Sequence, residues 1–157
     1  MAKTNAQELA AAWYLIVAGM KVAEADGKIQ DKELKILLRV MDGASTRSKS
    51  AFVRKVAKIA SDLESLELSR TKDKRSLIRM TADLSDDLDN LPESDRMRYL
   101  GLLIVTAKEV ATSTGGGWFG KRSLNDEEAR AATGMIGAVA GGIDFNAIID
   151  WVEAHGY

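Results

Sequence analysis

Val22-Ala-Glu-Ala-Asp-Gly-Lys-Ile-Gln-Asp-Lys-Glu33 interrupts an apolar helical pattern with a short acidic turn, and a degraded copy of it stands about ninety residues later. Leu15-Ile16-Val17 and Val22-Ala23 match Leu103-Ile104-Val105 and Val110-Ala111 at an offset of 88, and Gly27 matches Gly115. After an insertion of seven residues the offset becomes 95, where Ile29, Asp31 and Glu33 match Leu124, Asp126 and Glu128. The chain therefore uses a helix, a tight turn and a second helix twice. The first copy keeps the acidic turn. The second carries Gly115-Gly-Gly-Trp-Phe-Gly120 in its place, so the two turns no longer do the same work.

Outward from this unit the pattern is helical throughout. Leu9, Trp13, Ile16, Val17 and Met20 recur at three- and four-residue spacing and predict a helix over 5–24. Leu34, Leu37, Leu38 and Met41 predict a second over 31–42, with Gly43 as its C-terminal stop. Phe52, Val56 and Ile59 mark a third. Leu77, Met80, Leu84 and Leu88 mark a fourth, with a break expected near Thr81. Pro92 opens a fifth as a first-turn proline, with Met97, Leu100, Ile104 and Ala107 inward. A sixth spans 125–140, and Asp144 is expected to cap a last one carrying Ile148, Ile149 and Val152. No stretch alternates apolar and polar residues as a strand would. The expected fold is all-α, one domain over 1–157, a bundle of about seven helices built from the duplicated unit. Gly134, Gly137 and Gly141 fall in or just after the sixth helix, where a neighbouring helix passing close to the backbone would explain them.

Composition narrows the function classes. The 157 residues are 46% apolar and 29% charged, a globular mixture with a net charge of −1 that selects no partner. Without cysteine there is no disulfide, thiolate metal site or thiol catalysis. His155 is the single histidine, beside the end of the sequence, and reads as a solvated residue. No nucleophile and base pair is evident, so the chain is not expected to be an enzyme. No signal-like start and no span long enough for a bilayer are seen, so a cytoplasmic, soluble protein is expected.

The acidic turn admits two readings. Glu24, Asp26, Asp31 and Glu33 offer oxygen ligands of the kind calcium and magnesium prefer. A regular twelve-residue calcium loop does not fit, because its first ligand position falls on Val22 inside the first helix. Against metal binding, Gly27 suits a positive φ at a helix end, and acids at 31–33 and 126–128 suit helix N-termini. Asn125-Asp-Glu-Glu128 also has the form of a capping box. Capping is the simpler account on residues alone, and explains the second copy better than the first.

The order apolar helix, Ala-x-x-Asp-Gly-x-Ile-x-x-x-Glu, apolar helix, repeated around a helical middle, resembles the tellurite-resistance TerB-like family. The Gly-Gly-Gly-Trp-Phe-Gly insertion before Leu124-Asn-Asp-Glu-Glu128 is similar to a bacterial subgroup of it. The resemblance runs from about 10 to 143. It implies a non-enzymatic stress-response domain built from a pseudo-repeat, with a divalent cation, calcium or magnesium, held at acidic turns. It also implies protein partners, including membrane-linked chaperone modules. Asp26, Asp31, Glu33 and Glu128 match the acidic positions. Thr114 stands where the second turn would repeat Asp26, so at most one complete site is expected.

Two other segments could recruit a partner without metal, which makes a helical adaptor the alternative function. Residues 46–79 carry ten bases and four acids, and 83–95 carry six acids and no base. Arg70, Lys74, Arg75 and Arg79 could form a basic face, or be neutralised by the acids that follow. No aromatics interleave with these bases, so nucleic acid is not expected as a partner. Trp118 and Phe119 are either a plug folded onto the bundle or an exposed partner anchor, and the plug is the expectation.

Overall fold

The computed structural model describes residues 6–24, 31–66, 76–113, 134 and 136–157, and every regular element among them is helical. The labelled helices are α1 (Ala6–Glu24), α2 (Asp31–Arg47), α3 (Ala51–Ser61), α4 (Leu77–Asp89), α5 (Glu93–Ser113) and α6 (Phe145–His155). A single helical turn follows α3 at 63–66, and a further helical segment covers 136–140. The fold is all-α. The described helices share one core, drawn from α1 to α6 and from Ile136, Val139 and Ala140.

The core is organised around α1 and α5. Ala10, Ala11, Ala12, Tyr14, Leu15, Ile16 and Ala18 of α1 are all buried, far more than one stripe. In α5 the same is true of Met97, Tyr99, Leu100, Leu102, Leu103, Ile104, Thr106, Ala107 and Val110. Helices apolar nearly all round belong inside a bundle, covered by amphipathic ones. The stripe expected from spacing in α1 is found in part: Ile16 is buried and Leu9, Trp13 and Met20 pack partly buried against the core, while Tyr14, Leu15 and four alanines are buried beyond it. Small side chains let neighbouring helices come close on several sides, which a periodic search for large residues does not register.

The seam between the two helices carries the strongest local constraints. The Tyr99 hydroxyl donates to the Ala11 carbonyl at 2.7 Å, inside the core. A Cβ on Gly19 would lie 2.7 Å from Leu37 Cδ1 and 3.3 Å from Thr106 Cγ2. Contacts at 11–99 and 19–106 advance together along both helices, so α1 and α5 run side by side in the same sense. Positions 14–20 and 102–108 have the same burial residue by residue: buried at 14, 15, 16, 18, 19 and their counterparts, partly buried at 17, 20, 105 and 108. Ile16 and Ile104 are both buried in one core. The side chain of Val22 lies outside the described residues.

The remaining helices close around this pair. Leu37 brings α2 back over Gly19 of α1. Lys55 of α3 reaches Glu8 of α1 at 2.8 Å, with Glu8 nearly buried. Ser50 caps α3 by accepting from the Val53 amide and donates to Asp95 in the first turn of α5 at 2.7 Å. Val152 of α6 fills the space that a side chain at Gly101 would take.

Several expected boundaries move. Helix α2 runs through Gly43 to Arg47, because Gly43 does not take a positive φ, and the Ser45 and Thr46 hydroxyls bond back to carbonyls at 42 and 43. Helix α4 is unbroken at Thr81. Pro92 lies just before α5, its carbonyl accepting from Asp95 and Arg96. Asp144 occupies the cap position of α6, but its side chain makes no capping bond. Gly134 and Gly137 are exposed and meet no close neighbour among the described residues, so a crossing by a described helix does not explain them. Gly141, with φ 62, and Gly142, with φ 91, turn the chain out of the helical segment at 136–140.

Glycine replacement separates these cases. Gly134→Ala and Gly137→Ala should each stabilise the protein by about 0.5–1 kcal/mol, the cost of a helical glycine, as measured by urea denaturation. Gly19→Ala should instead destabilise it by roughly 1–3 kcal/mol, because Leu37 and Thr106 must shift to admit the methyl group. A stabilised Gly19→Ala protein would contradict the close packing of the seam.

The buried phenols provide a second test. Burial pushes Tyr14 up to about 12, with a hydrogen bond to Thr81 pulling the other way. Burial, then the neighbouring Tyr14, holds Tyr99 well above the ordinary value of 10.0. A folded pKa above the unfolded one means that the stabilising contribution is complete below the unfolded value and is lost as pH rises through the folded one. Stability should therefore fall as pH climbs from 10 towards 12. Tyr14→Phe should flatten that decline in chemical denaturation, whereas an unchanged slope would show that Tyr14 does not contribute to it.

Candidate functional site

The acidic turn predicted as a cation site is carried by the α1–α2 hairpin. Helix α1 ends at Glu24, α2 begins at Asp31, and six residues connect them. Gly19 and Leu37 meet five residues before the one end and six after the other start, so the hairpin is folded tightly behind the turn. By backbone position Asp31 is the first residue of α2 and Glu33 lies in its first turn, where the helix dipole favours a carboxylate. Asp26 lies outside the described residues, as do Glu128, Trp118 and Phe119 and the side chains of Asp31 and Glu33. Among the described residues no cluster of three or more histidine, aspartate or glutamate side chains could hold a metal.

The expected basic face is described only at Arg79, since Arg70, Lys74 and Arg75 lie outside the described residues. Arg79 pairs with Asp83 one turn on, Nε to Oδ1 at 3.2 Å. That is the neutralisation by following acids anticipated for this segment, and such exposed pairs contribute little to stability.

A different site is built where α2 and α5 diverge. A cleft of about 480 Å³ opens between them, with Val40 and Ala44 of α2, Val53 of α3 and Leu102 and Val105 of α5 as its apolar surface. Its polar groups are Arg47, Ser48, Arg98, Lys108, Glu109 and Tyr157. The spacing 40, 43, 44, 47 places one face of α2 along it, and 98, 102, 105, 109 one face of α5. Arg47 lies back over Gly43, in the space a side chain there would take.

The end of the cleft is held by a latch on the C-terminal segment. Arg98 donates through Nε to the Gly156 carbonyl at 3.1 Å and through a terminal nitrogen to that of His155 at 3.2 Å. Its guanidinium also sits 5.1 Å from the centre of the Trp151 ring. Lys49 adds an ammonium bond to the His155 carbonyl at 3.3 Å, and its backbone amide donates to Tyr157 at 2.7 Å. Cations at a helix C-terminus satisfy carbonyls that have no partner within the helix. His155 is exposed, stacks on Trp151 at 4.2 Å, and places Nδ1 2.8 Å from the Trp151 carbonyl. It serves this latch, in keeping with its reading as a surface residue.

Sequence reasoning missed the cleft because its residues come from three helices and the latch. One signal was available: Val40, Ala44 and Arg47 share a helical face, but only if the helix passes Gly43. No family model, curated protein or solved structure matches the chain. No described helix is long and apolar enough to cross a membrane.

Proposed function

We propose that the chain is a non-enzymatic, TerB-like stress-response module that takes a divalent cation, calcium or magnesium, at Asp26 and Glu33, with Asp31 and Glu128 assisting. The observation that carries this reading is the tight α1–α2 hairpin, which brings the start of α2, and with it Asp31 and Glu33, to the end of α1. Its α1 arm is matched in burial by α5 of the second copy, as the resemblance to a pseudo-repeated family requires. Carboxylate oxygens on a short connection between rigid helices suit hard cations. A chain with one histidine and no cysteine offers little for acid–base or nucleophilic catalysis.

Isothermal titration with calcium, magnesium, manganese and zinc tests the reading. One saturable site is expected in the parent, lost in the Asp26→Ala, Glu33→Ala double variant with helicity retained. Equal heats in parent and variant would dismiss the site. The second reading is a metal-independent adaptor for protein partners, in which Trp118 and Phe119 contribute the contact. The mixed basic and apolar cleft between α2 and α5 favours it. Partners captured equally with and without a chelator would support the adaptor over the cation-dependent module.

A further inference from the structure

The cleft between α2 and α5 is independent of the acidic turn, and its shape and charge select a ligand. Its volume, about 480 Å³, lies within the range of small-molecule sites, roughly 300–1,000 Å³. The interior surface is aliphatic, from Val40, Ala44, Val53, Leu102 and Val105. Tyr157, exposed and on the latched segment, brings an aromatic ring to the end of the cleft, and the described surface between α2 and α5 is otherwise aliphatic. A flexible hydrocarbon chain would be accommodated.

The rim defines the head group. Three bases, Arg47, Arg98 and Lys108, face one acid, Glu109. Arg98 is committed to the carbonyls of the latch and to Trp151. Arg47 is exposed, lies over Gly43, and makes no ion pair among the described residues. A guanidinium held against the cleft wall is suited to two-pronged recognition of a carboxylate. Against the one acid, Glu109, the three bases leave the rim net positive, which favours an anionic head group.

We propose that this cleft binds the anion of a single-chain fatty acid, its hydrocarbon tail along Val40, Ala44, Leu102 and Val105 and its carboxylate on Arg47. The proposal uses none of the residues of the cation reading, so failure of that reading leaves it standing and the reverse also holds.

Titration calorimetry with dodecanoate below its micelle concentration tests the proposal, with dodecyltrimethylammonium, dodecanol and dodecyl phosphate as head-group controls. The expected result is one saturable site for dodecanoate and no site for the cationic amphiphile. Arg47→Glu should weaken dodecanoate binding by about tenfold or more, since it exchanges an attractive charge for a repulsive one. Arg47 is exposed, so the fold should survive the change, which circular dichroism would verify. Ala44→Phe, filling the cleft, should abolish binding; should that variant unfold, Arg47→Glu and the head-group series decide. Binding of both charge types with equal affinity, indifference to Arg47→Glu, or no saturable heat would overturn the proposal. Dodecyl phosphate bound in preference to dodecanoate would overturn the carboxylate assignment.

Discussion

The close approach of α1 and α5 is the constraint on which the other helices depend. Gly19 removes the side chain that would hold Leu37 and Thr106 away, and the Tyr99 hydroxyl bonds to the Ala11 carbonyl within the same seam. A buried hydroxyl without a partner would be costly, so this bond also restricts how α5 can rotate or slide against α1. With those two helices set, α2 returns over Gly19, α3 is tied to Glu8 and Asp95, and α6 seats Val152 at Gly101. Helices α2, α3 and α6 are each placed by a small set of side-chain contacts to the central pair.

The two central helices resemble each other while the sequences that follow them differ. They run in the same sense with equivalent burial, so each arm presents its end to a following connection. After α1 that connection is the acidic turn, and in the second copy it is the glycine-aromatic stretch. Connections in general tolerate changes in length and chemistry at little cost in packing energy. The cleft arises differently. It occupies the space where α2 and α5 separate, closed at one end by the latched segment after α6.

Several polar groups of the bundle are paired in ways that join elements. Ser50 bonds both the Val53 amide and the Asp95 carboxylate, and Lys55 reaches Glu8 across two helices. Such bonds contribute modestly to net stability but penalise alternative packings in which a partner is lost. Tyr14 and Tyr99 extend the same logic: both phenols are held neutral by burial, and each has a hydrogen bond that orients its ring.

Much of this was legible in the residues themselves. Three- and four-residue spacing determined the helical class, and the start and end of α1 follow from it to within one residue. The offset of 88 picked out residues that share burial along the central helices, because equivalent core positions demand similar side chains. The acidic turn was legible as chemistry too, since carboxylate spacing is a property of the chain. What only the tertiary structure decided depends on neighbours distant in sequence. Gly43 does not stop α2, because a glycine ends a helix only where its backbone turns out of it. Among the described residues Gly134 and Gly137 have open space beside them, whereas Gly19 and Gly101 have none, and the letter G is the same in all four. Four alanines of α1 proved as deeply buried as Leu15 and Ile16, since helices packing from several sides require small residues between them. The cleft exists only after α2, α3 and α5 are assembled, because no single stretch contains both its aliphatic interior and its arginine rim.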